Sequence, residues 1–354
     1  MSNESDSGVG SLQRSGFVVR KERLYGRLIA ASAGLTILVT VGIILALSGR
    51  ALSFWSQISP IAFFTGTNWS PVIANSYGVL PLISGTLIVT IFSALIALPI
   101  GLAAAVYLSE YASDTARSIL KPALEILAGV PTVIYGYMAL VYVTPLIDGF
   151  LPFSQTIISE GLATTVPDVP LIPEAVPLLP EFTLTVSEFT LVMPSLGTFN
   201  ALSASVVVGI MIIPMVSSIS EDALSAVPDS LRQGGYGLGS TKFDVSTRIV
   251  VPSATSGIVA SYVLAISRAI GETMAVTMAM GMSPQMPYFP NVLRNLAESS
   301  QTITAAMVQI AGADSYGSGP TYEAMFALGM TLFAITLIMN VLAELVRRRF
   351  REEY

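Results

Sequence analysis

The sequence predicts an all-α, polytopic membrane protein with about six transmembrane helices, and three observations carry that prediction. The 354 residues are 53% hydrophobic and 11% charged, where soluble domains carry roughly 25% charged residues. Mean hydropathy is +0.71. Apolar runs long enough to cross a bilayer recur along the chain, and basic residues gather at alternate ends of them.

Residues 1–27 read as a polar tail without a signal-peptide pattern. The apolar run at 28–48 is longer than a signal-peptide core and reads as a retained first span. Residues 49–80 follow as an external segment, with an interfacial turn carrying Trp69 and a formal glycosylation triplet, Asn68-Trp69-Ser70. The remaining spans are expected at 81–108, 122–147, 198–219, 253–281 and 322–346. In the third, Glu125 is expected one turn inside, paired with Lys121, and Gly129, Pro131 and Gly136 mark a kinked or closely packed helix. Tyr135, Tyr137 and Tyr142 fit either an interfacial belt or a passage. Between the third and fourth spans lies an insertion, 148–197, with seven prolines, six acidic residues and no basic one, which excludes long helices. It reads as an external surface cover or a docking site for an external partner.

Fourteen of the 17 Lys and Arg residues fall before the first span, between the second and third, between the fourth and fifth, or after the sixth. By the positive-inside rule both termini are cytoplasmic in the plasma membrane, and 220–252 is a cytoplasmic loop. With no cysteine and no histidine, the chain has no disulfide, no thiolate or imidazole metal site, and no catalytic triad that needs either residue. A net charge of −6 and the lack of a basic patch argue against a nucleic-acid partner. No P-loop pattern occurs, so energy for any active process comes from another subunit, and no cofactor is expected.

Within the fifth span sit Arg268 and Glu272. One charge at bilayer depth costs about 2.5–3.5 kcal/mol on insertion scales, so such residues face a bundle interior or an aqueous path. Four residues apart on one helix, they would share a face with the small residues Ser261, Ala265, Ala275 and Ala279. A guanidinium offers a planar donor fork suited to an oxyanion. The pair reads either as a transient anion contact, Arg268, neutralised by Glu272 between substrates, or as a clasp between helices.

In the 220–252 loop, Pro228 opens a short helix that Gly239 can break. Its spacing, Gln233-Gly234-Gly235, three residues, Gly239, nine residues, Ile249-Val250-Val251-Pro252, is similar to the E-A-A-x3-G-x9-I-x-L-P (EAA) loop of binding-protein-dependent ABC importer permeases. Gln233 stands where that pattern has Glu, Gly234 and Gly235 where it has Ala, and Val251 where it has Leu. The segment Arg268-Ala269-Ile270-Gly271-Glu272-Thr273-Met274-Ala275 resembles one found in phosphate importer permeases. FFTGTNWSP before the second span, Glu125 to Gly136, and the ending ALGMTLFAITLIMNVLAELVRRRF resemble their PstC-type subunit, so the resemblance covers nearly all of 60–351.

The resemblance implies a type I ABC importer permease (MetI-like) fold, with 81–351 as the permease domain. It implies coupling through Gln233, Gly234, Gly235 and Gly239 to cytoplasmic ABC ATPase subunits, a PstA-type permease partner, and an external phosphate-binding protein. A permease for another oxyanion, molybdate, tungstate or sulfate, is the alternative within the class, and a secondary anion transporter the alternative outside it.

Overall fold

A computed structural model describes residues 16–150, 196–289, 291–312 and 319–349. Most of the 148–197 insertion and the first 15 residues therefore lie outside the described residues. The first helix, α1 (Gly16–Gln57), begins within the expected polar tail and runs beyond the expected span at both ends. It is followed by α2 (Pro60–Thr65), with proline where the helix needs no N–H, and by a hairpin of β1 (Trp69–Ser70) and β2 (Ser76–Tyr77). Trp69 is 4% exposed and packs edge-on against Tyr77. These two, with Phe54, Phe63, Leu82 and Leu328, form a closed core that ties α1 to the last helix.

α3 (Leu80–Val106) continues through a π-helical turn, Tyr107–Tyr111. The expected third span is divided. α4 (Asp114–Ala128), capped by Ser113, buries no residue, and its partner for Lys121 is not Glu125 but Glu221 and Asp222, 2.6 and 3.0 Å away. The chain breaks at Gly129–Pro131 because Pro131 disfavours helical backbone at Val130. The membrane segment then runs through α5 (Thr132–Met138), a π turn at Ala139–Val143, and α6 (Thr144–Phe150). Tyr135 spans the break, donating its hydroxyl to the Leu127 carbonyl, which also accepts the Val130 N–H at the end of α4, while Tyr137 and Tyr142 are exposed.

α7 (Ala201–Ser225) starts at Asn200, whose Oδ1 accepts the Ser203 N–H at 2.7 Å. It packs along α3 at two glycines: a methyl group at Gly101 would lie 2.7 Å from Val216, and one at Gly209 would lie 3.3 Å from Ile96. Then come α8 (Asp229–Gly237), α9 (Lys242–Val245), a π turn at Ser246–Val250, α10 (Val251–Ser253) and α11 (Thr255–Ile270). Lys242–Ser253 and Thr255–Ile270 meet at a bend of 71°. α12 (Met274–Met280), α13 (Val292–Ala297), α14 (Ile303–Gly312) and α15 (Pro320–Arg349) complete the chain. Among the described residues five helices are long and apolar enough to cross a membrane, and six if the bent pair is one span. Val208, Ile212, Ala265, Ala269 and Ala279 centre the core between α7, α11 and α12.

Candidate translocation and coupling sites

The span expected as one helix over 253–281 is two. α11 closes at Gly271, whose N–H bonds back to Ser267, and helix resumes only at Met274. The cause lies in the residues between. Gly271 weakens helix propagation, and the Glu272 carboxylate takes the Ala275 N–H at 3.3 Å, capping α12 instead of continuing α11. Thr304 of α14 donates to the Glu272 carbonyl at 2.8 Å and holds the break. Arg268 and Glu272 are thus on different sides of a break, not on one continuous helical face, and Ala275 and Ala279 belong to α12.

Among the described residues no ion pair joins Arg268 to Glu272. Glu272 is 8% exposed. Arg268 is exposed, while Ser261 and Ala265 on the preceding turns are fully buried, Ser261 sharing a 2.7 Å hydrogen bond with Ser220 of α7. Beside it Ser267 donates to Asn340 of α15 at 3.0 Å. Along α11 the buried side holds Ser261, Ala265 and Ala269, and the open side carries Leu264 and, one turn on, Arg268.

α8 is built to stand as a separate rod. Pro228 precedes it, Asp229 lies in its first turn where the helix dipole favours an anion, and Gly239 at φ +81° turns the chain away. The Gly239 and Ser240 N–H groups bond the Tyr236 and Gly235 carbonyls, the pattern of a Schellman stop. Gln233 and Gly234 are exposed, together with Tyr236, Leu238 at 90% and Phe243 at 66%. Gly235 faces inward, where a methyl group would come within 2.7 Å of Ile249 Cδ1 and 2.9 Å of Val245 Cγ2.

The structure also brings together two charged clusters that the sequence alone does not pair. Glu221, fully buried at the end of α7, is clasped by Arg117 and Lys121 of α4. Arg232 of α8 pairs with Glu110 at 3.0 Å, at the end of α3. Their signal in the sequence is position: each acid lies two residues beyond an apolar run, and each cation in a basic connector. At the opposite end of α7, an open cleft of about 440 Å³ is lined by Phe199, Gln285, Glu298 and Ser299.

Residues 97–352 match the family described as binding-protein-dependent transport system inner membrane component. The chain is 33% identical over 316 residues to the phosphate transport system permease protein PstC of Xylella fastidiosa, covering 87% of this chain and 86% of the relative. It is 31% identical over 333 residues to PstC of Haemophilus influenzae, covering 94% of each. It is 29% identical over 333 residues to the probable ABC transporter permease protein YqgH of Bacillus subtilis, covering 93% and 92%. Among solved structures, a bacterial alginate ABC transporter in complex with a pentasaccharide-bound periplasmic protein gives a TM-score of 0.55 at 15% identity, over 95% of this chain and 98% of that one. An inward-facing MetNI methionine ABC transporter gives 0.50 at 14% identity, over 80% and 100%. Both share the fold.

Proposed function

Because this chain belongs to the binding-protein-dependent transport system inner membrane components, the multi-pass permease subunits of ABC importers, we propose that it forms half of a membrane pathway for inorganic phosphate. Membership in that family sets aside the secondary-transporter alternative. The similarity to PstC proteins supports phosphate. The observation that carries the anion reading is Arg268: an exposed guanidinium on a span whose neighbouring residues Ser261, Ala265 and Ala269 are buried.

A guanidinium can donate two parallel hydrogen bonds to two oxygens of a tetrahedral anion. Glu272, held at the break by its bond to Ala275 and by Thr304, lies four residues on and limits how long the anion stays. In this reading 81–351 is the permease domain and both termini are cytoplasmic. The exposed side of α8, Gln233 and Gly234 with Tyr236 and Leu238, meets a cytoplasmic ABC ATPase, Gly235 seats the rod on Val245 and Ile249, and Gly239 ends it. A PstA-type permease covers the open side of α11, and an external phosphate-binding protein delivers the substrate.

The test is ATP-dependent uptake of labelled phosphate into vesicles holding the complete complex, with molybdate and sulfate as competitors. Arg268→Ala is expected to lower phosphate uptake by about tenfold or more, the loss of one charge-assisted contact of 1.4 kcal/mol or above, while the complex still assembles. Uptake at the wild-type level in this variant would reduce Arg268 to a packing residue. Uptake of another oxyanion alone would reassign the substrate.

A further inference from the structure

We propose that Arg232 is the positioning residue that makes α8, the end of α3 and the end of α7 a single moving body, so that displacement of α8 is delivered to both membrane helices together. This rests on the coupling role proposed for α8. The guanidinium makes five hydrogen bonds. Nε and Nη2 donate to Glu110 Oε1 at 3.2 and 3.0 Å, Nη2 also to the Leu224 carbonyl at 2.8 Å, and Nη1 to the Val227 carbonyl at 2.5 Å and Asp229 Oδ1 at 3.2 Å. A guanidinium has five N–H groups in a fixed plane, so its donor capacity is fully used.

The partners belong to three elements. Glu110 lies in the π turn that ends α3, Leu224 is in the last turn of α7, Val227 is in the connector to α8, and Asp229 opens α8 itself. The Leu224 and Val227 carbonyls lie where α7 ends, the former also accepting the Val227 N–H at 3.2 Å, and a cation at a helix C-terminus is favoured by its dipole. The Arg232 and Glu110 side chains are 15% and 5% exposed. Water is therefore largely shut out, and either charge left alone would be costly. Rods joined only by the short 226–228 connector would be free to tilt relative to one another; this knot removes that freedom. Lysine cannot replace it, because one ammonium cannot reach carbonyls and a carboxylate lying on several sides of a plane.

The absence of native cysteine makes the movement directly measurable. Exposed Ser230 on α8 and exposed Tyr107 at the end of α3 take spin labels after replacement by cysteine, and neither contacts Arg232 in the bonds described above. In the full complex, the distance between the labels is expected to stay narrow and unchanged between the ATP-free and vanadate-trapped states. With Arg232→Lys or the isosteric Glu110→Gln added, the distribution is expected to broaden. Substrate moved per ATP hydrolysed is expected to fall about fivefold or more, the lower end of ordinary coupling free energies. The ATPase subunits are expected to remain bound, since the exposed side of α8 is untouched.

Unchanged label distances and unchanged substrate-to-ATP ratio in both variants would overturn the proposal. So would a wild-type complex in which the two labels separate on trapping. If α8 does not contact the ATPase at all, crosslinking from Gln233→Cys to the ATPase fails in the wild type. That outcome marks failure of the coupling reading itself, and the label distances still report whether the knot holds.

Discussion

A methyl group added at Gly101 would lie 2.7 Å from Val216 Cβ, whereas one added at Gly234 would meet nothing within 4 Å. The same substitution therefore has opposite signs. Gly101→Ala is expected to destabilise the α3–α7 contact by about 1–3 kcal/mol, because Val216 is a branched side chain with no free end to move. Gly234→Ala is expected to stabilise α8 by about 0.4–1 kcal/mol, by restricting the unfolded chain at a helical position with open space. Thermal unfolding of the purified complex in detergent separates the two, and equal shifts of the same sign would contradict this packing. The exchange of Ala for Gly at 234 and 235 was legible in the sequence, but not that one faces out and the other lies against Val245 and Ile249. That distinction is set by tertiary contacts with residues ten and fourteen positions on.

α4 stands on the rest of the chain through charge. It buries no residue, and Glu221, completely buried on α7, accepts from Arg117 and Lys121, with a further 3.3 Å contact from Ser225. Removing one cation leaves the other in place. Removing both leaves a buried carboxylate alone, so Arg117→Ala/Lys121→Ala is expected to cost about 3–5 kcal/mol and more than the sum of the single changes. A double-mutant cycle on thermal stability gives the answer, and strict additivity would show that the cations act separately. The hydrogen bond that the Lys121 ammonium donates to Glu221, then the one it donates to Asp222, raises the Lys121 pKa above its ordinary value. A raised cation stabilises fully below the unfolded value and loses its contribution as pH rises through the folded one. Stability from this group is accordingly level from pH 6 to 9 and declines only in strongly alkaline solution, which a pH series of melting curves measures. Element order and the number of spans were legible because hydropathy and charge report length and sidedness. The breaks at 129–131 and 271–273 were harder: Gly129, Pro131 and Gly271 were visible, but an apolar window is blind to whether its backbone is continuous. Glu272 in particular reads in the sequence as a mid-helix partner of Arg268, and only its bond to Ala275 identifies it as a cap.

At the scale of the whole molecule, α1 is held at one end. Its most apolar stretch buries nothing against the rest of the chain, whereas Ala51 and Phe54 are fully enclosed with Phe63, Tyr77 and Leu328. Phe54→Ala is expected to cost about 3–5 kcal/mol, felt where α1 meets the hairpin and α15. Limited proteolysis should cut between 58 and 80 in the variant before the α3–α7 core is touched, and unaltered resistance there would show that lipid alone retains α1. A different consequence follows from the open side of α11. A chain made without a companion carries the Arg268 charge bare in its span, at about 2.5–3.5 kcal/mol. In the two-permease assembly proposed above, a companion covering that side removes the penalty, so copies left without one are expected to be the less stable population in the membrane.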